Sequence, residues 1–275
     1  MRWGWSTIGP ALGLRAARVA DKGNEMLRHF VVGNGPPVLL VHGFALDARM
    51  WGPQVEALSG TFRVITVELP GFGASPVSAG ARSASGALAD ALNVLVSEAA
   101  HVVGSSLGGA VAVDLALAYR RLVRSLTLLD ALLLGRASGI RAWSEAVARA
   151  KAGEMAFARA AWLADDLFAS FRTRPDVVTT VREMVADYSG AHWRGEVSTR
   201  FEVSDPIPRL PELDLPALVL SGTDDLPSFR AMSDEYARVL PRATREEIPG
   251  AGHLPNLERP DVVNARLARF FTAAH

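Results

Sequence analysis

Three residue types in this chain could together make a nucleophile. Ser106 sits in Gly104-Ser105-Ser106-Leu107-Gly108, between a short strand-like run, His101–Gly104, and a segment with helical periodicity, Ser106–Tyr119. A serine hydroxyl attacks poorly until a base removes its proton, and that base must itself be oriented. His253 is the candidate base. It follows Pro249-Gly250-Ala251-Gly252 at the end of the strand-like run Thr244–Ile248. Asp224 and Asp225 are the candidate orienting carboxylates, one residue past Ala217–Gly222 and its Thr223. The Gly-x-Ser-x-Gly string alone says little. Set between a strand and a helix, it describes a tight turn whose glycines avoid steric collision and whose serine stands at a helix N-terminus, where negative charge is favoured.

These residues act together only if their strand ends share one sheet edge. Apolar runs that stop at turn residues recur along the chain: Val38–Val41, Phe62–Leu69, His101–Gly104, Ser125–Asp130, Ala217–Gly222 and Thr244–Ile248. Such runs suit strands buried on both faces. Helical patterns separate them, at Ala48–Leu58, Ser83–Glu98, Ser106–Tyr119, Pro227–Leu240 and Pro260–Thr272. Strand–helix alternation predicts an α/β fold with a mostly parallel central sheet and helices on both faces. Before it, Arg15–Asp21 and Met26–Val32 read as a hairpin around Lys22-Gly23-Asn24.

One stretch breaks the alternation. From Leu132 to Arg200 only helical periodicity appears, and the Pro-rich segment Asp205–Pro211 leads back to a strand. A helical cap over residues 131–206 is expected above the C-terminal sheet edge, between core segments 1–130 and 207–275. Of its aromatics, Trp143, Trp162 and Phe168 are the candidate pocket residues, with Leu254 from the core. Its arginines (136, 141, 149, 159, 172 and 174) read mostly as solvated faces, any one of which could meet a substrate carboxylate.

Composition narrows the class. Lys and Arg total 29 and Asp and Glu total 29, so nothing favours nucleic acid or an anionic membrane as partner. There are no cysteines, which removes disulfides, thiolate metal sites and a cysteine nucleophile, and fits a cytoplasmic location. No apolar stretch reaches the roughly 18 residues of a membrane span. Met1–Ala20 reads as an irregular arm rather than a signal peptide, because glycines and Pro10 interrupt it. His29, His101, His192 and His275 have no ligand spacing, so neither metal nor cofactor is expected.

Taken with His42-Gly43-Phe44 and Pro70-Gly71-Phe72-Gly73-Ala74-Ser75, these motifs resemble the α/β-hydrolase superfamily, in its capped serine-hydrolase branch. The wording around Gly222–Pro227 and Ile248–Asn256 is similar to enol-lactone hydrolases. The resemblance spans residues 38 to 258. It implies Asp225 rather than Asp224 as the acid, and an oxyanion hole from the backbone N–H groups of Phe44 and Leu107. It also implies a structural role for His42 beneath its loop. Glu68 stands where the family's turn carries Asp, and no chemistry is assigned to it.

The expected function is hydrolysis of a small to medium carboxylic ester or lactone through an acyl-enzyme. The same triad could serve carbon–carbon bond hydrolysis or perhydrolysis, and the scaffold could serve as a ligand-binding receptor. Dehalogenase and epoxide-hydrolase chemistry would need a carboxylate where Ser106 stands. Sequence leaves the oligomeric state open.

Overall fold

Val38-Leu39-Leu40-Val41 has no polar position for solvent to claim, and its strand runs with both faces covered. In a computed structural model, which describes residues 15–17, 27–77 and 82–274, this strand is central to an eight-stranded sheet ordered β1-β2-β4-β3-β5-β6-β7-β8. The strands are β1 (Arg15–Ala17), β2 (His29–Val32), β3 (Pro37–Val41), β4 (Arg63–Val67), β5 (Ala100–Ser105), β6 (Val123–Leu129), β7 (Ala217–Gly222) and β8 (Ala243–Ile248). From β4 to β8 every neighbouring pair is parallel. β2 runs antiparallel to β4, and β1 antiparallel to β2, pairing Arg15 with Val31. The fold class is the one expected. The N-terminal arm, the predicted turn Lys22–Asn24 and His275 lie outside the described residues.

Every residue of β3, β5 and β7 is buried, as a sheet covered on both faces requires. The core helices are α1 (Gly52–Leu58), α2 (Ala84–Leu95) and α3 (Leu107–Ala118). Pro53 sits in the first turn of α1, where its missing N–H costs nothing. Ser83 caps α2, its hydroxyl accepting from Gly86 N at 2.9 Å. α3 is apolar but for Asp114 and almost wholly buried, as a helix is when the sheet lies beneath it and other elements lie above.

Between β6 and β7 there is no strand. The segment holds α4 (Trp143–Lys151), α5 (Met155–Ala164), α6 (Pro175–Asp187) and α7 (Ala191–Arg194), with two 3-10 turns between α5 and α6. Three polar anchors tie it to the sheet layer. Buried Asp114 of α3 accepts from the backbone N–H groups of Glu202 and Val203 at 2.9 and 2.8 Å. Arg49 pairs with Asp187 at 2.7 Å. Arg174 donates to the carbonyls of Gly250 and Glu258 at 2.7 and 2.9 Å. After β7 come α8 (Pro227–Val239), α9 (Pro255–Glu258) and α10 (Pro260–Ala273). Among the described residues, no helix is long and apolar enough to cross a membrane.

Candidate active site

Five loops leave the C-terminal ends of β3, β5, β6, β7 and β8 and meet at one place. Ser106 follows β5 with φ +52° and ψ −118°, a conformation that L-residues adopt only under constraint. The constraint is visible. Ser106 N donates to Leu129 O at 3.0 Å, and Ser106 O accepts from Gly109 N and Leu132 N at 2.9 and 3.0 Å. A Cβ on Gly104 would lie 2.3 Å from Gly108 O, and one on Gly108 would lie 2.3 Å from Val41 O, so the turn closes only with glycine at both positions. Non-glycine residues with positive φ, among those described, are Ala45, Ser106 and Asp130, and all three stand on this edge.

His253 follows β8. Its Nδ1 lies 2.9 Å from Oδ2 of Asp225, and both side chains are buried. Asp225 Oδ1 accepts from Leu226 N at 2.7 Å, which fixes the carboxylate plane. With Nδ1–H given to Asp225, Nε2 carries the lone pair. It is buried with no protein partner, on the wall of a small cavity that Ser106 also lines. The ring of Phe229 packs edge-on to the imidazole at 4.4 Å. Asp224 instead accepts from the Thr223 hydroxyl at 3.0 Å, away from His253.

The loop carrying the histidine is itself held. Buried Glu258 accepts from Gly252 N at 3.1 Å and Leu254 N at 3.2 Å. A Cβ on Gly252 would strike the Ser170 hydroxyl at 2.1 Å, so the insertion presses directly on this turn.

Asp130, at the end of β6, was read from sequence only as the terminus of a strand. Its carboxyl is fully buried, accepts from Gly222 N at 3.2 Å and is hydrogen-bonded to Asp225. Burial first, then the charge of Asp225, holds Asp130 well above the ordinary carboxylate range. The available signal was an acidic residue ending a largely buried strand on the edge that also carries Ser106 and Asp225.

His42 lies beneath the loop after β3. Its Nε2 accepts from Leu69 N at 2.9 Å and its Nδ1 faces Gly43 O at 2.8 Å. Burial lowers its pKa, so the ring is neutral, with Nδ1–H as donor. The peptide it pins runs from Gly43 C=O to Phe44 N–H, the latter pointing the opposite way from the carbonyl. Phe44 and Leu107 line the same cavity as Ser106, and Leu107 is the first residue of α3, whose N–H has no intrahelical acceptor.

That cavity has a volume of about 310 Å3. Trp143 and Trp162 line it. Phe168 and Leu254 line a narrower extension beside His253 that shares Phe44, Ser106, Ile140 and Trp162. Sequence reasoning did not single out Leu132, Ser138, Ile140, His192, Val197, Ser198, Thr199 or Phe229, which complete the wall. The six arginines considered as carboxylate partners are all elsewhere. Arg136 pairs with Glu235, and Arg149 with Glu145 and Glu154. Arg159 and Arg172 donate to carbonyls of the insertion, Arg174 to carbonyls of the histidine loop, and Arg141 is 88% exposed. Among the described residues, no cluster of His, Asp and Glu could hold a metal ion.

Glu68 closes the neighbouring turn. Its carboxylate accepts from Ala74 N at 2.6 Å and fills the space that a Cβ on Gly73 would need. Burial raises its pKa to about 7.

Residues 38–266 match the model of the alpha/beta hydrolase family. The chain is 30% identical over 267 residues to a provisionally named carbamate hydrolase, RutD, of Azorhizobium caulinodans, an alignment covering 91% of this chain and 97% of that one. Among solved structures, a thermophilic esterase from Thermogutta terrifontis is 30% identical, with a TM-score of 0.79 over 95% of this chain and 99% of that chain. The enol-lactonase of Burkholderia xenovorans is 26% identical, with a TM-score of 0.78 over 93% and 100%. With that match over most of its length, the chain belongs to the alpha/beta hydrolase family, as a hydrolytic enzyme.

Proposed function

We propose that the chain hydrolyses a small to medium carboxylic ester or lactone through an acyl-enzyme on Ser106. The observation that carries this reading is His253. One ring nitrogen is tied to a buried carboxylate, and the other is unpartnered on a cavity wall beside a serine held at φ +52°. His253 Nε2 takes the Ser106 proton as Oγ bonds to the carbonyl carbon, and the carbonyl oxygen becomes an oxyanion. The N–H groups of Phe44 and Leu107 receive that charge. One such donor is typically worth about 3 to 4 kcal/mol in the transition state. His253 returns the proton to the leaving alcohol, then takes one from water as it attacks the acyl carbonyl, and gives that proton to Ser106 Oγ as the acid is released. For a lactone, alcohol and acid remain in one molecule. The sheet-edge geometry and the esterase and lactonase relatives support this reading together.

Hydrolysis of p-nitrophenyl esters of increasing acyl length by wild type and Ser106→Ala tests it. A pre-steady-state burst is expected, and loss of both burst and turnover in the variant. A variant with wild-type turnover would sink the reading.

A further inference from the structure

We propose that this pocket takes an uncharged ester or lactone whose apolar acyl part carries a hydrogen-bond acceptor, and that His192 is the residue that reads that acceptor. The inference rests on Ser106 as the nucleophile of ester hydrolysis. Its first support is the charge inventory of the wall. None of the described residues lining the 310 Å3 cavity is Asp, Glu, Lys or Arg, and the narrow extension adds only His253 as a titratable group. Arg159 and Arg172 are engaged by carbonyls of the insertion, Arg174 by the histidine loop, and Arg136 and Arg149 by surface carboxylates. A substrate carboxylate entering this space would lose water and meet no cation, which is costly.

The second support is the state of His192. Its ring stacks on Phe72 at 4.2 Å and stands edge-on to Phe44 at 5.7 Å, so its plane is fixed. The Tyr188 hydroxyl accepts the His192 backbone N–H at 3.2 Å and lies 3.2 Å from Nδ1. We assign the hydroxyl hydrogen to Nδ1, which places the ring proton on Nε2. The Thr199 hydroxyl is 3.5 Å from Nε2, at the outer limit of a hydrogen bond. On this assignment Nε2–H is a weakly engaged donor of a residue that lines the cavity. Burial, then the proximity of His42, lowers the pKa of His192 to about 4, so the donor is neutral across the working range. A neutral N–H suits a carbonyl or ether oxygen. A carboxylate would call for an imidazolium.

The test compares methyl p-nitrophenyl glutarate with its half-acid, mono-p-nitrophenyl glutarate, which differ by one methyl group and one charge. The expected kcat/KM favours the neutral diester by roughly 100-fold; equal or faster turnover of the half-acid overturns the proposal. Binding of both to Ser106→Ala by calorimetry reads the same preference without turnover. There, half-acid binding as tight as the diester, or binding of neither, also overturns it. Absence of Ser106-dependent turnover on either ester would instead strike the hydrolase reading, leaving the binding comparison to decide this one. For His192, the measured quantity is the ratio of kcat/KM for the diester to that for an alkanoate ester of equal length, which lacks the distal acceptor. His192→Phe should lower this ratio about tenfold, and His192→Gln, which keeps an N–H, should restore part of it. An unchanged ratio in His192→Phe removes the assignment.

Discussion

Two regions face each other across Ser106, and different physics holds each. On the sheet edge the important groups are fixed by directional bonds and constrained backbone: Ser106 at φ +52°, Asp130 at φ +41°, and the Asp225–His253 contact at 2.9 Å. On the insertion side the wall is held by packing. Phe44 reaches up from the core and makes ring contacts with Trp143, Trp162, Tyr188, His192 and Trp193, with centroids 5.0 to 6.0 Å away. The difference has a consequence. A directional site fails when one atom turns or loses its partner, whereas a packed wall tolerates exchange of volume and changes what fits.

The largest expected effect tests which carboxyl carries the orienting charge. Asp225→Asn should lower kcat about 10⁴-fold, because an amide favours the wrong imidazole tautomer. Asp130→Asn should stay within about tenfold, since the amide can accept from Gly222 N and donate to Asp225, and Asn tolerates a left-handed backbone. A larger loss at Asp130 than at Asp225 would place the charge on Asp130. Steady-state kinetics on one good ester decides between them.

Next in size is the pin beneath the oxyanion loop. His42→Ala frees the Gly43 carbonyl and leaves Leu69 N–H without its acceptor. The expected loss is about 100-fold in kcat, with KM little changed, near the effect of removing one oxyanion donor. A change confined to KM would show that the loop shapes the pocket rather than the transition state.

On the packed side, Trp162→Leu should cost about 2 to 3 kcal/mol in denaturant unfolding. It should move the preferred ester toward longer acyl chains, with kcat on short esters within about threefold. A collapse of kcat on every ester would break the comparison, because the wall would then be positioning the chemistry.

The last effect is a pH window. Burial raises Glu68 in the folded protein to about 7, above the ordinary 4.5. The folded state therefore binds that proton more tightly than the unfolded chain. The contribution is fully present below pH 4.5 and is lost as pH rises through about 7. Glu68→Gln should remove this fall, which amounts to at most about 3 kcal/mol. Unfolding free energies of both proteins at about pH 5 and about pH 8 check the sign; a fall of equal size in the variant would assign the titration to another group.

Much of the sheet edge was legible because its information is local. Apolar runs ending in turn residues marked six parallel strands to within two residues, and Gly104 and Gly108 announced a turn that no larger residue could close. The order of a serine, an acid at 224 or 225 and His253 then followed from which strand each one ends, and the family resemblance chose Asp225. Asp130 stood in plain view but had no local signature, since its chemistry depends on Asp225, 95 positions away.

The insertion was legible only as helical. Its aromatics could be named, and Trp143, Trp162, Phe168 and Leu254 do gather around Ser106. Yet the sequence could not separate them from Trp193 and Tyr188, which are equally aromatic and buried behind the wall. It could not discharge the six arginines either, because their partners are backbone carbonyls and distant carboxylates. By itself the sequence determined the strands, the strained turn and the types and order of the reactive residues, all set by periodicity and steric limits within a few positions. Tertiary structure alone decided that Asp130 is buried beside Asp225, how the rings of His42 and His192 are held, and that no Asp, Glu, Lys or Arg among the described residues lines the pocket. Each of these depends on burial and on contacts between residues far apart in the chain.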